Sequence, residues 1–221
     1  MGYNPGREGG MAGKENRGRR GGDPVVLVHG LWMMGSEMRV LGGRLAQAGF
    51  RPVYFRYPSW RGDLSKAAKA LRDAVEEAGG ARVHLVGHSL GGIVIARMLE
   101  EGDLSRPGRV AMLGTPMAGS TVGRKLARHG AGRWVMGTVA CDGIVERAPR
   151  WPGGRELLVV AGDLPLGTGM LLGIAKPHDG MVRVEETRVE GARAAVVRAS
   201  HVGLLLSRKV AALLCDHFRT V

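Results

Sequence analysis

From Leu90 to Leu99 the chain reads LGGIVIARML, apolar around nearly its whole helical circumference. A helix of that kind is enclosed on all sides and does not lie on a surface. Only Gly87-His88-Ser89 separates it from the short strand-like run Val83–Val86. The chain must therefore turn from a buried strand into a buried helix within a few residues. Strands buried on both faces belong to parallel sheets covered by helices, so this one segment restricts the chain to a layered α/β architecture.

The remaining sequence carries the same alternation. Pro24–Val28, Pro52–Phe55, Val110–Leu113, Leu157–Ala161 and Ala195–Val197 are short apolar runs that read as strands. Between them, Ser36–Ala48 and Leu64–Ala78 show helical stripes, the second opened by Asp63 and closed by Gly79-Gly80. A single closing helix is expected over Leu204–Phe218, with Leu206, Val210, Leu213 and Leu214 turned inward. Strands alternating with helices give a mostly parallel sheet with helices on both faces. The length of 221 residues suits one domain, read as residues 23–221. Residues 1–22 differ: Gly, Arg, Asn and Lys with almost no large apolar side chain. Such a segment buries too little to offset its ordering entropy, so a disordered basic tail is expected there. It lacks the apolar stretch of a secretory signal, and Gly6 stands where a myristoylation signal needs Ser or Thr. A cytoplasmic location is the resulting expectation.

The segment from Pro116 to Gly154 interrupts the alternation and is rich in Gly, Trp and Met. One or two short helices forming a small lid are expected there. The net charge is +12, with 26 Arg among 32 basic residues. That charge attracts anionic surfaces non-specifically and leaves weak membrane-surface association open. No specific nucleic-acid partner is implied. Cys141 and Cys215 are too few and too far apart for a disulfide scaffold or a cysteine zinc site.

In a parallel sheet the ligand lies beyond the carboxyl ends of the strands, so the residues following each strand carry the chemistry. After the third strand comes Gly87-His88-Ser89-Leu90-Gly91, a G-x-S-x-G turn between strand and helix. The sharp turn strains Ser89 and exposes its hydroxyl at a helix N-terminus. Glycines at 87 and 91 remove side chains that would collide there. Ser89 is the candidate nucleophile, and it needs a base that is itself oriented by an acid. His201 alone among the histidines follows a strand late enough in the chain order Ser, acid, His. Two acids precede it. Asp163 ends the fifth strand, and Asp179 sits in His178-Asp179-Gly180-Met181-Val182, where the chain turns back inward. The turn-back favours Asp179, with Asp163 the alternative. A developing oxyanion needs two donors, assigned to the backbone N–H groups of Leu90 and of Leu31 in the His29-Gly30 loop. Apolar walls are expected from Trp32, Met33, Met117, Leu164 and Met170. No metal or organic cofactor is implied.

The strand followed by His-Gly, GHSLGG, the Leu113-Gly114-Thr115-Pro116 segment ending in Gly119-Ser120, the Asp-Gly-Met-Val loop and the late Ser-His together resemble the α/β-hydrolase superfamily. More narrowly they resemble small bacterial esterases and lipases and the GPI inositol-deacylase-type lipases. The resemblance implies a sheet trimmed to about six strands, Asp179 as the acid, and cleavage of a small-molecule or lipid ester through an acyl-enzyme on Ser89. The same residues serve a thioesterase, an acyltransferase or a perhydrolase. A basic surface binder retaining the fold without turnover is the non-enzymatic alternative.

Overall fold

The computed structural model describes residues 21–128, 130–146, 149–167 and 173–220. The tail expected over residues 1–22 therefore falls, up to residue 20, outside the described residues.

Six strands form one sheet in the order β2-β1-β3-β4-β5-β6, every neighbouring pair parallel. They are β1 (Pro24–Val28), β2 (Arg51–Phe55), β3 (His84–His88), β4 (Val110–Leu113), β5 (Leu157–Gly162) and β6 (Arg193–Val197). The inner strands are buried throughout, including His84 and His88 at the two ends of β3. The two edge strands are partly exposed. Pro52, which cannot donate to a ladder, sits on the edge strand β2.

Successive side chains of a strand point to opposite faces, and the sheet sorts them into two cores. Val26, Val28, Leu85 and Met112 pack with α2 (Leu64–Ala78) and α3 (Leu90–Glu100). Val25, Leu27, Val86 and Leu113 pack on the other face with α1 (Arg39–Gln47) and, beyond α6 (Gly203–Leu206), with α7 (Arg208–Arg219). Every residue of α3 from Leu90 to Leu99 is buried, including Arg97, which pairs with Glu100 at 2.9 Å. Asp63 caps α2 by accepting from the Lys66 N–H at 2.8 Å, and the helix ends at Gly79 with φ 67°.

The single closing helix expected over Leu204–Phe218 is divided at Ser207. The Ser207 hydroxyl accepts from the Val210 N–H and starts α7 afresh, the behaviour of an N-cap residue. Leu206, expected inward, is 52% exposed because it lies at that break.

The strand order reverses direction at β1: the chain steps outward to β2, then returns past β1 to β3 and onward. Loops leaving β1 and β3 diverge at such a switch point and leave a crevice between them. Over that crevice the 116–154 segment contributes α4 (Thr121–Ala127), α5 (Gly130–Ala140) and a wide π turn (Cys141–Glu146). Ser120 caps α4 by accepting from the Gly123 N–H at 2.9 Å. The second half of α5 is attached to the body after β2. Thr138 donates its hydroxyl to the Gly62 carbonyl and accepts from the Gly62 N–H. Gly137, at φ 74°, kinks the helix there, and a Cβ on it would collide with the Trp60 carbonyl.

Candidate active site

Ser89 stands between β3 and α3 with φ 53° and ψ −120°, outside the regions that non-glycine residues favour. The turn is over-determined by its neighbours. The Ser89 N–H donates to the Leu113 carbonyl at 2.9 Å, and its carbonyl accepts from the Gly92 N–H at 3.1 Å. A Cβ on Gly91 would strike the Val28 carbonyl oxygen, and one on Gly92 the Thr115 hydroxyl. The glycines thus let α3 lie directly against β1 and β4, and the strain at Ser89 is the consequence.

His201 follows β6 and is held at three points. Its backbone N–H donates to the Asp179 carbonyl at 2.8 Å, and its ring Nδ1 lies 2.7 Å from Asp179 Oδ2. Its own carbonyl lies 3.0 Å from His88 Nε2, and among the described residues that ring has no other hydrogen-bond partner. His88 therefore carries its proton on Nε2 and donates it to the His201 carbonyl. Asp179 is 1% exposed, and its Oδ1 accepts from the amides of Met181 (2.9 Å) and Val182 (2.8 Å). Burial alone would raise this carboxyl. The adjacent His201 and the two amide donors outweigh burial and hold it below its ordinary value. The histidine's carboxylate partner is Asp179 and not Asp163. Asp163 follows β5 with its N–H on the Val197 carbonyl, and among the described residues its buried Oδ1 has no partner.

The loop after β1 faces the elbow across Gly30, where a Cβ would lie 3.1 Å from Ser89 Cβ. Tyr57 fixes that loop by donating its hydroxyl to the His29 carbonyl at 3.0 Å and stacking on the His29 ring at 4.6 Å. Leu31 lines the cleft beside Ser89, and Leu90 is the first residue of α3, at the positive end of its dipole.

Residues 25–216 match the model of the alpha/beta hydrolase family. The chain belongs to that family. Solved structures share the fold. The mature lipase BlEst2 of Bacillus licheniformis is 21% identical, with a TM-score of 0.68 over 89% of this chain and 93% of that one. A metagenomic carboxyl esterase is 15% identical, with a TM-score of 0.66 over 97% and 80%. A bromoperoxidase of Bacillus anthracis is 17% identical, with a TM-score of 0.65 over 89% and 91%. A search of curated proteins finds no match. At such identities the likeness speaks to the fold, and the site must supply the function.

In this hydrolase Ser89, His201, Leu31, Trp32 and Met33 share one cavity of about 230 Å³. Two expected wall residues are misplaced. Met117 turns onto the core packed around α3, and Leu164 follows β5 with its N–H on the Ala199 carbonyl, away from the cavity. Met170 lies outside the described residues. The apolar walls come instead from Val122, Leu126, Met136 and Ile144 of the 116–154 segment, with Met181 and Val182 from the acid's own loop. Val122 and Leu126 have the i, i+4 spacing of helix core positions, and sequence alone could not tell a cavity lining from a core. His88 and Tyr57 were also missed; each is a ring next to a site motif whose role depends on a distant carbonyl.

Burial, with repulsion from His201 and His29, pushes the His88 imidazole down to about 3. Burial likewise takes His84 to about 4. Both values lie below the ordinary 6.5. Below that pH the unfolded chain binds protons that the folded chain refuses, so stability falls as pH drops. For His88 the slope is about 1.4 kcal/mol per pH unit. The urea midpoint is expected to decline steadily from pH 6.5 to 4.5, and His88→Gln should shallow the decline. A variant curve parallel to that of the wild type would contradict the buried neutral imidazole.

Proposed function

We propose that the protein hydrolyses carboxylic esters through an acyl-enzyme on Ser89. The observation that carries this reading is the 2.7 Å pairing of His201 Nδ1 with Asp179, in a cleft that His201 shares with a strained, half-buried serine. With Nδ1–H donated to Asp179, Nε2 is the free base. It takes the Ser89 proton as Oγ attacks the ester carbonyl. The carbonyl electrons move onto oxygen, where the N–H groups of Leu31 and Leu90 are suited to receive them. Collapse expels the alcohol, which leaves with the proton held on His201. Water, deprotonated by the same nitrogen, then attacks the acyl-serine and releases the carboxylic acid and free Ser89. Asp179 holds the ring in orientation and stabilises its charged form throughout. The motifs behind the narrower likeness to GPI inositol-deacylase-type lipases are consistent with this chemistry and do not fix the alcohol.

The cavity is smaller than the roughly 300–1,000 Å³ of ordinary ligand pockets. Short and medium acyl groups are therefore the expected substrates. Across p-nitrophenyl acetate, butyrate, octanoate and palmitate, kcat/KM should peak at butyrate or octanoate and fall by more than about tenfold at palmitate, since overfilling a packed cavity is costly. A rate rising continuously to palmitate would contradict the assigned acyl cavity. Inertness toward the whole series would contradict the ester-hydrolase reading itself.

A further inference from the structure

A second groove, of about 630 Å³, adjoins the Ser89 cavity and shares Trp32 and Met33 with it. Its far side carries Arg56 and Arg61, both exposed, together with Trp60 and Met34. Among the described residues neither guanidinium is paired with a carboxylate. Two acids close by in sequence are engaged locally: Glu37 turns onto the amides of its own turn, and Asp63 caps α2. Arg61 lies 4.6 Å over the Trp60 ring, and the Trp60 indole N–H is tied to the carbonyls of Trp134 and Val135. Trp32 is fixed in the same way, by its indole N–H on the Val135 carbonyl at 3.0 Å. The two hollows differ in chemistry. The cavity at Ser89 is almost wholly apolar, whereas the groove ends in two uncompensated positive charges on an aromatic floor.

An ester spans two groups, and two hollows that share Trp32 and Met33, the first of them lined by Ser89, can take one group each. We propose that the Arg56–Arg61 groove is the subsite for a negatively charged leaving group. On this proposal, which rests on the ester-hydrolase reading, the substrate joins a short apolar acyl group to an alcohol or thiol that bears phosphate. Guanidinium groups recognise phosphate with two parallel hydrogen bonds, and an aromatic floor accepts the apolar part of the leaving group. Such a leaving group has two sources, a phosphorylated glycerol or a nucleotide-bearing thiol, and the groove chemistry is common to both.

The test compares three butyryl substrates: neutral p-nitrophenyl butyrate, 1-butyryl-glycerol 3-phosphate and butyryl-coenzyme A. Each is given to the wild type and to an Arg56→Gln/Arg61→Gln variant. The variant is expected to lose about five- to tenfold in kcat/KM on at least one phosphorylated substrate, as two exposed charge pairs would allow. It should keep its rate on the neutral ester. The phosphorylated substrate that responds identifies the source. Added salt should slow that substrate and not the neutral one. Equal changes on neutral and phosphorylated substrates would overturn the proposal. Hydrolysis of none of the three by the wild type would instead defeat the ester-hydrolase reading. In that case the subsite is read by tryptophan fluorescence during titration with glycerol 3-phosphate and with coenzyme A. Saturable quenching lost in the double variant upholds the groove, and its absence in the wild type overturns it.

Discussion

Asn in place of Asp179 is expected to lower kcat/KM for p-nitrophenyl butyrate by about 10⁴-fold, while Asp163→Asn leaves it close to the wild-type rate. The asymmetry follows from where the two carboxylates point. Asp179 Oδ2 holds Nδ1 of His201 at 2.7 Å, which on the proposed mechanism leaves Nε2 as the base in the cavity that His201 shares with Ser89. An Asn amide at the same place can donate its own N–H to Nδ1. That stabilises the other tautomer, with the proton on Nε2, and disables the base without removing it. The Asn oxygen at the Oδ1 position still accepts the Met181 and Val182 amides, but more weakly without the charge, so a small structural loss accompanies the catalytic one. A circular-dichroism melt of the variant separates that structural loss from the catalytic one. A comparable collapse with Asp163→Asn, and none with Asp179→Asn, would reassign the acid.

Ser89→Ala is expected to reduce kcat by about 10⁴- to 10⁶-fold, leaving only what substrate binding and the oxyanion donors supply. The backbone at this position makes a companion variant informative. Ser89 sits at φ 53° and ψ −120°, a conformation that costs a residue with a Cβ about 1–3 kcal/mol. Ser89→Gly relieves that strain, against a loss of chain stiffness in the unfolded state. The net expectation is a Tm higher by about 2–4 °C in an inactive protein. Ser89→Ala keeps the Cβ and should melt near the wild type. A Ser89→Gly variant that melts below the wild type would show that the elbow is not strained.

The layered fold was legible because β1, β4 and β5 are unbroken apolar runs, β3 is apolar between its two histidines, and α3 is apolar nearly all round. Both patterns have no other stable home. The elbow was legible for a related reason: Gly87, Gly91 and Gly92 occupy the places where a Cβ would strike backbone or Thr115. The acid was only half legible. The stretch from Asp163 to His201 carries little periodic structure, and which carboxylate meets the ring depends on how that stretch folds back over β5 and β6. The cavity walls were least legible. Apolarity predicts burial, yet half-buried Met117 only packs against the core while buried Met136 and half-buried Ile144 line the cavity, and nothing local distinguishes them. The break at Ser207 had a local signal, a hydroxyl three residues before Val210, which the continuous apolar stripe concealed.

The most direct measurement is covalent labelling with a fluorophosphonate, in which a nucleophilic serine oxygen bonds to phosphorus and fluoride leaves. Intact-mass spectrometry and peptide mapping of the folded protein are expected to find one adduct per chain, on Ser89. Ser89→Ala should abolish it, Asp179→Asn should slow it, and p-nitrophenyl butyrate present during labelling should delay it. A folded protein that stays unlabelled, or one labelled at another residue with Ser89 untouched, would contradict the account.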